Sequence, residues 1–166
     1  MPITYEPIAT TTLGSAAASV TFSTISGSYT DLVLVANLNG SGGNGNANIA
    51  VTVNSDTGSN YSGTRLTGDG SSASSNRNSS QTAMFIVNTG ASLNAQWGTF
   101  ICHFMNYSNT TTYKTAINRF GTAGGETTAN VNLWQSTSAI NTIKVETTTN
   151  NYASGSMFTL YGIKAA

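Results

Sequence analysis

The sequence is poor in the residue types that most often carry catalysis and metal binding. It has one cysteine, Cys102, and one histidine, His103, among 166 residues. One cysteine excludes an intrachain disulfide and a cysteine-based zinc site, and one histidine excludes a zinc site built from several imidazoles. Adjacent residues of a strand point to opposite faces, so Cys102 and His103 should not form a catalytic pair. We therefore predict that the protein is not an enzyme and that it has no cofactor and no metal site.

Charged residues are also scarce, at 7% of the chain, and six Lys+Arg balance six Asp+Glu. Nucleic-acid binding depends on clustered cations that displace counterions from phosphate, so we predict no nucleic-acid partner. No apolar run approaches the roughly 18 to 20 residues that span a bilayer, and the first residues lack the pattern of a signal peptide. We expect no membrane partner and synthesis in a cytoplasm.

The abundant residues are Thr, Ser, Asn and Gly, which make up about half of the chain, while 39% of the residues are hydrophobic. Such a composition disfavours helix interiors. Nine or ten runs alternate with period two, and clusters of Gly, Asn and Ser separate them. This pattern predicts one all-β domain over residues 1–166, a jelly-roll-like sandwich of about eight to ten antiparallel strands. An immunoglobulin-like sandwich of about seven strands is the alternative.

The longest run covers residues 97–107 and is apolar on both faces. Alternation places Cys102 and Phe104 on one face, and His103 and Tyr107 on the other. Cys102 is therefore predicted to be a buried small hydrophobe, and His103 a structural or interface residue.

Three segments lie outside the clear strands. Residues 1–13 are a possible N-terminal arm, and residues 39–47 form a glycine-rich loop. Residues 67–80 contain one aliphatic side chain and are predicted to be a long surface loop. Asp56 and Asp69 lie in sequences that are typical of tight turns.

Several stretches, in their order and spacing, resemble small virion structural proteins of tailed bacteriophages, in particular those of cyanophages. The similarity spans nearly the whole chain and is carried by residues 29–35, 56–62, 65–71, 106–115 and 158–164. Members of this group are capsid cement or decoration proteins, or β-sandwich modules associated with the tail. No catalytic residues are carried over from the resemblance.

The resemblance implies a virion component that is assembled in the host cytoplasm. We predict a capsid cement protein, a homotrimer that binds between major capsid protein subunits on the outer capsid surface. The alternative is a tail-fibre or receptor-binding head that recognises host surface glycan. The candidate interface residues are Tyr5, Ile8, Tyr61, Arg65, Arg77, Tyr107, Tyr113 and Tyr161.

Overall fold

The computed structural model describes residues 4–41, 48–87, 96–122 and 124–164. Within these ranges the chain forms β-strands joined by turns, and the described part contains no helix that could cross a membrane. The strands are β1 (Tyr5–Thr12), β2 (Ser19–Phe22), β3 (Asp31–Leu38), β4 (Ile49–Val53), β5 (Tyr61–Gly68), β6 (Ala73–Gln81), β7 (Met84–Val87), β8 (Gly98–Met105), β9 (Lys114–Thr122), β10 (Thr127–Trp134), β11 (Ile143–Thr147) and β12 (Met157–Ile163).

The strands form two antiparallel sheets of unequal width. The large sheet has the order β1-β12-β3-β8-β9-β10-β5-β6, and the small sheet has the order β2-β11-β4-β7. The pairs β1–β12, β2–β11, β3–β8 and β4–β7 are nested along the chain and alternate between the sheets. This nesting is the jelly-roll arrangement, a long antiparallel hairpin folded over into two four-stranded sheets.

The predicted fold class, a single all-β jelly-roll-like sandwich, is confirmed. The described residues hold twelve strands rather than eight to ten, because β9, β10, β5 and β6 extend one sheet beyond β8. Neighbouring strands lie about 4.8 Å apart. β7, the edge strand of the small sheet, packs against β9, β10 and β5, so the large sheet overhangs the small one on the β6 side.

The core lies between the two sheets and takes alternate residues from each strand. Along β8, Cys102 and Phe104 point inward and are fully buried, whereas His103 points outward. Burial raises the pKa of the Cys102 thiol well above its ordinary value. The prediction that Cys102 is a buried small hydrophobe on the face opposite His103 is confirmed.

The prediction of a surface loop over residues 67–80 is wrong. β5 continues to Gly68, β6 begins at Ala73, and only a tight turn separates them. Asp69 holds this turn by accepting hydrogen bonds from the backbone N–H groups of Ser71 and Ser72, at 2.9 and 2.7 Å. Pairing with β10 supplies partners for the backbone of β5, so polar side chains suffice to build this hairpin.

The segment predicted to be an N-terminal arm is part of the sheet over residues 5–12, where β1 pairs with β12. An ion pair between the Lys164 ammonium and the Glu6 carboxylate, at 2.8 Å, ties the two strands together near their ends. Of the predicted loop 39–47, residues 42–47 lie outside the described residues.

Candidate functional site

The face of the large sheet that points away from the small sheet, hereafter the outer face, has an unusual composition. Strand registers align its central row across seven strands. This row consists of Tyr161, Val33, His103, Ile117, Val131, Thr64 and Arg77. The adjacent row, which is aligned in the same way, consists of Thr159, Val35, Ile101, Arg119, Ala129, Leu66 and Ser75.

Large apolar side chains on the outer face are exposed. Ile117, Val131 and Leu66 have 44%, 50% and 61% of their surface accessible. An antiparallel sheet with one solvated face normally places apolar residues inward and polar residues outward. Concentrations of exposed apolar side chains mark contact sites, so the outer face is a candidate binding surface.

Few charges interrupt the outer face. His103 Nε2 lies 3.2 Å from Asp31 Oδ2, and Asp31 Oδ1 accepts a hydrogen bond from the backbone N–H of Asn106 at 2.7 Å. Arg119 and Arg77 have no ion pair with any residue that the structure describes. The outer face can therefore offer apolar area, one histidine–carboxylate pair and two guanidinium groups to a partner.

Four of the predicted interface residues lie on the outer face or at a strand end. Tyr5 and Tyr161 lie on the outer face of β1 and β12, where their rings meet edge to face at 6.4 Å. Arg77 is exposed on the outer face of β6. Tyr113 is exposed beside the start of β9. The structure thus places three of the predicted residues on the outer face and Tyr113 at a strand end.

Tyr61 is fully buried, so the structure leaves it no surface to offer a partner. Its hydroxyl donates to the carbonyl of Asp56 at 3.0 Å and accepts from the N–H of Val53 at 3.2 Å. Burial raises the pKa of Tyr61 to about 12. Ile8 is half-buried and packs against the core.

Tyr107 is also fully buried, whereas alternation along residues 97–107 places it on the face of His103. The structure corrects this prediction, because β8 ends at Met105 and Asn106 adopts a positive φ of 50°. The turn directs the Tyr107 ring into the core, where its hydroxyl donates to the carbonyl of Ser26.

Arg65, the eighth predicted interface residue, lies on the opposite side of the large sheet. On the neighbouring strand β10, Arg65 is paired with Asn130, whose side chain points inward. Here the overhanging part of the large sheet forms an open cleft against β7, the edge strand of the small sheet. We call this cleft the amide cleft. It is lined by Ser62, Gly63, Thr64, Arg65, Asn78, Gln81, Ala83, Phe85, Asn130 and Asn132.

Side chains of β10 cover the backbone of β7 at the floor of the amide cleft. The amide nitrogen of Asn130 donates to the carbonyl of Ile86 at 2.6 Å and to the side-chain oxygen of Asn118 at 2.7 Å. The hydroxyl of Thr128 donates to the same Ile86 carbonyl at 3.3 Å. These groups take the place of a neighbouring strand, since an edge strand otherwise presents unpaired backbone groups.

Two amide atoms in the amide cleft are buried without a hydrogen-bond partner among the described residues. They are Asn130 Oδ1 and Asn132 Nδ2, and both side chains belong to residues that are 3% exposed. Buried polar atoms are rarely unpaired in folded proteins, so this pair indicates a place for a bound polar group. The sequence offers one signal for it, the alternating Asn130-Val131-Asn132.

No family model matches the chain, and no curated protein matches it. One solved structure that it resembles is a protein of unknown function, SO2946 from Shewanella oneidensis MR-1. The identity is 12% and the TM-score is 0.28, over 98% of this chain and 71% of the other. At this level of similarity the comparison supports no argument about fold or function.

Proposed function

We propose that the protein is a structural component of a tailed-phage virion that decorates the capsid and contacts the major capsid protein through its outer face. The observation that carries the proposal is the apolar composition of an accessible sheet face with few charges. The resemblance of residues 29–35, 56–62 and 158–164 to small virion proteins gives the proposal its biological setting. Jelly rolls are common among viral capsid domains.

The β6 edge of the large sheet supports assembly with further copies of the chain, and we propose a homotrimer. The edge strands of this sheet, β1 and β6, are eight and nine residues long. Proteins usually protect such edges with charges, prolines or short strands. β1 carries Glu6 and Pro7, whereas β6 has no proline and carries Arg77 as its single charged residue. A closed oligomer would cover the β6 edge, and the net charge of zero opposes association only weakly.

The double variant Ile117→Asp/Val131→Asp tests the role of the outer face. Burying two unpaired carboxylates in a contact is costly, and central contact residues contribute strongly to affinity. We expect at least about tenfold less protein per purified phage particle than for the wild type. Quantitative mass spectrometry of the particles measures this ratio.

A matched control uses the outside of the small sheet. Thr21→Asp introduces a carboxylate at an exposed position of β2 and should leave incorporation unchanged. Equal incorporation of the double variant and the wild type would rule out the outer face as the contact surface. Thermal melting of the purified variants shows whether both are folded.

A further inference from the structure

We propose that the amide cleft binds an acidic sugar, with a hydroxyl of the sugar at its floor and the sugar carboxylate on Arg65. The site is separate from the outer face, since Arg65 and Asn130 point to the other side of the same sheet. This inference therefore goes beyond the proposed role in the capsid.

The chemistry of the floor favours a hydroxyl group. Asn130 Oδ1 is an unpaired acceptor and Asn132 Nδ2 is an unpaired donor. A hydroxyl donates one hydrogen bond and accepts others, so hydroxyl groups have the chemistry to pair with both atoms. The space for the centre of a water-sized group is about 20 Å³, and about one water needs 10–15 Å³. The amide cleft therefore admits about one hydroxyl, while the sugar ring must lie across its mouth.

The lack of a side chain at Gly63 makes room for the Asn132 amide. A Cβ at position 63 would lie 2.5 Å from Asn132 Oδ1, which is closer than any ordinary contact. Glycine therefore lets the Asn132 amide lie directly against β5. A side chain at this position would push the amide out of its place.

A bulge on β6 adds two more amides to the lining. Gly63 pairs with Asn78 while Tyr61 pairs with Gln81, so two residues of β6, Ser79 and Ser80, stand opposite the single residue Ser62 of β5. Ser80 has a positive φ of 53° within this bulge. A β-bulge re-aims side chains, and here Asn78 and Gln81 both line the amide cleft although they are three residues apart.

The charges of the lining favour an acidic sugar over a neutral one. Arg65 has no ion pair with any residue that the structure describes, and no Asp or Glu is among the residues that line the amide cleft. A guanidinium binds a carboxylate through two parallel hydrogen bonds. A uronic acid carries both the carboxylate and the neighbouring hydroxyls.

Titrations of the full ¹⁵N-labelled chain by NMR test the proposal, with sodium glucuronate, glucose and sodium acetate as probes at matched ionic strength. We expect glucuronate to shift the side-chain amide signals of Asn130 and Asn132 and the Nε–H signal of Arg65 in a saturable manner. Glucose should shift the two amide signals with about tenfold weaker affinity, because it lacks the charged hydrogen bonds. Acetate should leave the two amides unchanged.

Three variants localise the binding. Arg65→Ala should weaken the affinity for glucuronate about tenfold and leave the affinity for glucose unchanged. Arg77→Ala is the matched control, since Arg77 lies on the other face of the same hairpin, and it should bind both sugars like the wild type. Gly63→Ala should abolish the shifts of both amides, and its backbone spectrum shows whether the fold is retained.

Several outcomes would overturn the inference. If neither sugar shifts Asn130 or Asn132, the floor holds only water. Equal affinity for glucose and glucuronate would exclude the role of Arg65, and an equal response to acetate would indicate an anion site without sugar recognition. Unchanged glucuronate binding by both Arg65→Ala and Gly63→Ala would place the binding elsewhere.

Discussion

At the scale of single residues, Asp56 connects the loop before β5 to the core. Asp56 Oδ2 accepts a hydrogen bond from the Trp134 indole N–H at 2.7 Å, and Asp56 Oδ1 accepts one from the Gly58 N–H at 2.8 Å. The hydrogen bond from Trp134, with others from Asn60 and Gly58, lowers the pKa of Asp56 below its ordinary value. Trp134 stacks on Tyr61, so the carboxylate also fixes two large rings of the core.

The lowered pKa of Asp56 predicts a stability contribution that depends on pH. A carboxyl group with a lower pKa in the folded state stabilises above its unfolded pKa, and this contribution is lost as the pH falls through the folded value. Asp56→Ala should lower the free energy of unfolding by about 1 to 2 kcal/mol at pH 7. The difference should shrink as the pH falls below about 4.

Urea denaturation of the variant and the wild type at several pH values measures this difference. Thr57→Ala changes the exposed neighbour and should stay within about 0.5 kcal/mol of the wild type. If Asp56→Ala lowers the free energy of unfolding by the same amount at pH 7 and at about pH 2.5, the result would contradict the role of the ionised carboxylate.

The sequence predicted some of these residue positions and not others. Alternation assigned Cys102 and His103 to opposite faces, because β8 is regular there. It could not place Tyr107, since the positive φ of Asn106 interrupts the alternation. The turn role of Asp56 was predictable from its neighbours, but its bond to Trp134 joins residues that are 78 positions apart.

At the scale of elements, β10 supports two different structures. Its outward residues Val131 and Leu133 belong to the outer face, while Asn130 and Thr128 point inward and cover the backbone of β7. The inward face of β10 is polar at this point because it meets the edge of a sheet rather than apolar side chains. Its contribution to stability is therefore carried by hydrogen bonds.

Asn130→Asp should be strongly destabilising. The Asn130 amide donates to the Ile86 carbonyl and to Asn118 Oδ1. The change replaces it with a buried carboxylate that cannot donate and that faces these two oxygens. Loss of buried hydrogen bonds with an uncompensated charge costs about 2 to 4 kcal/mol in the free energy of unfolding. Chemical denaturation at pH 7 measures the loss.

Asn37→Asp is the control for this change, since Asn37 is exposed on β3. It should change the free energy of unfolding by less than about 0.5 kcal/mol. A similarly small effect of Asn130→Asp would show that the side chains of β10 do not hold the edge of β7.

The sequence predicted the strands with strong alternation, such as β3 and β8, because their apolar residues recur with period two. It missed the β5–β6 hairpin, since residues 67–80 are almost entirely polar. The hairpin takes its order from the pairing of β5 with β10 and of β6 with β5. Apart from the alternation of Asn130 and Asn132, the sequence contained no sign of the amide cleft. That cleft depends on a bulge at Ser80 and on an overhang created by strands far apart in the chain.

At the scale of the whole molecule, the unequal widths of the two sheets create two distinct surfaces. The outer face of the large sheet offers apolar area for a protein contact, and the overhang beyond β7 encloses the amide cleft. The nested strand pairing agrees with the jelly roll predicted from the composition and alternation of the chain. Neither surface depends on a high net charge, since the chain has a net charge of zero.

A contact made by apolar side chains should resist salt. Ionic contacts between exposed groups are strongly screened at 1 M salt, where the Debye length is about 3 Å. Purified particles washed in about 1 M NaCl should therefore retain the protein. Release of the protein by this wash would contradict an apolar contact through the outer face.

The central claim is that the protein decorates a capsid, and its copy number per virion tests this claim most directly. Quantitative mass spectrometry of purified particles, calibrated against the major capsid protein, gives the number. If the protein decorates the capsid, we expect hundreds of copies per virion, in a fixed ratio to the major capsid protein. A handful of copies, or none, would contradict the claim.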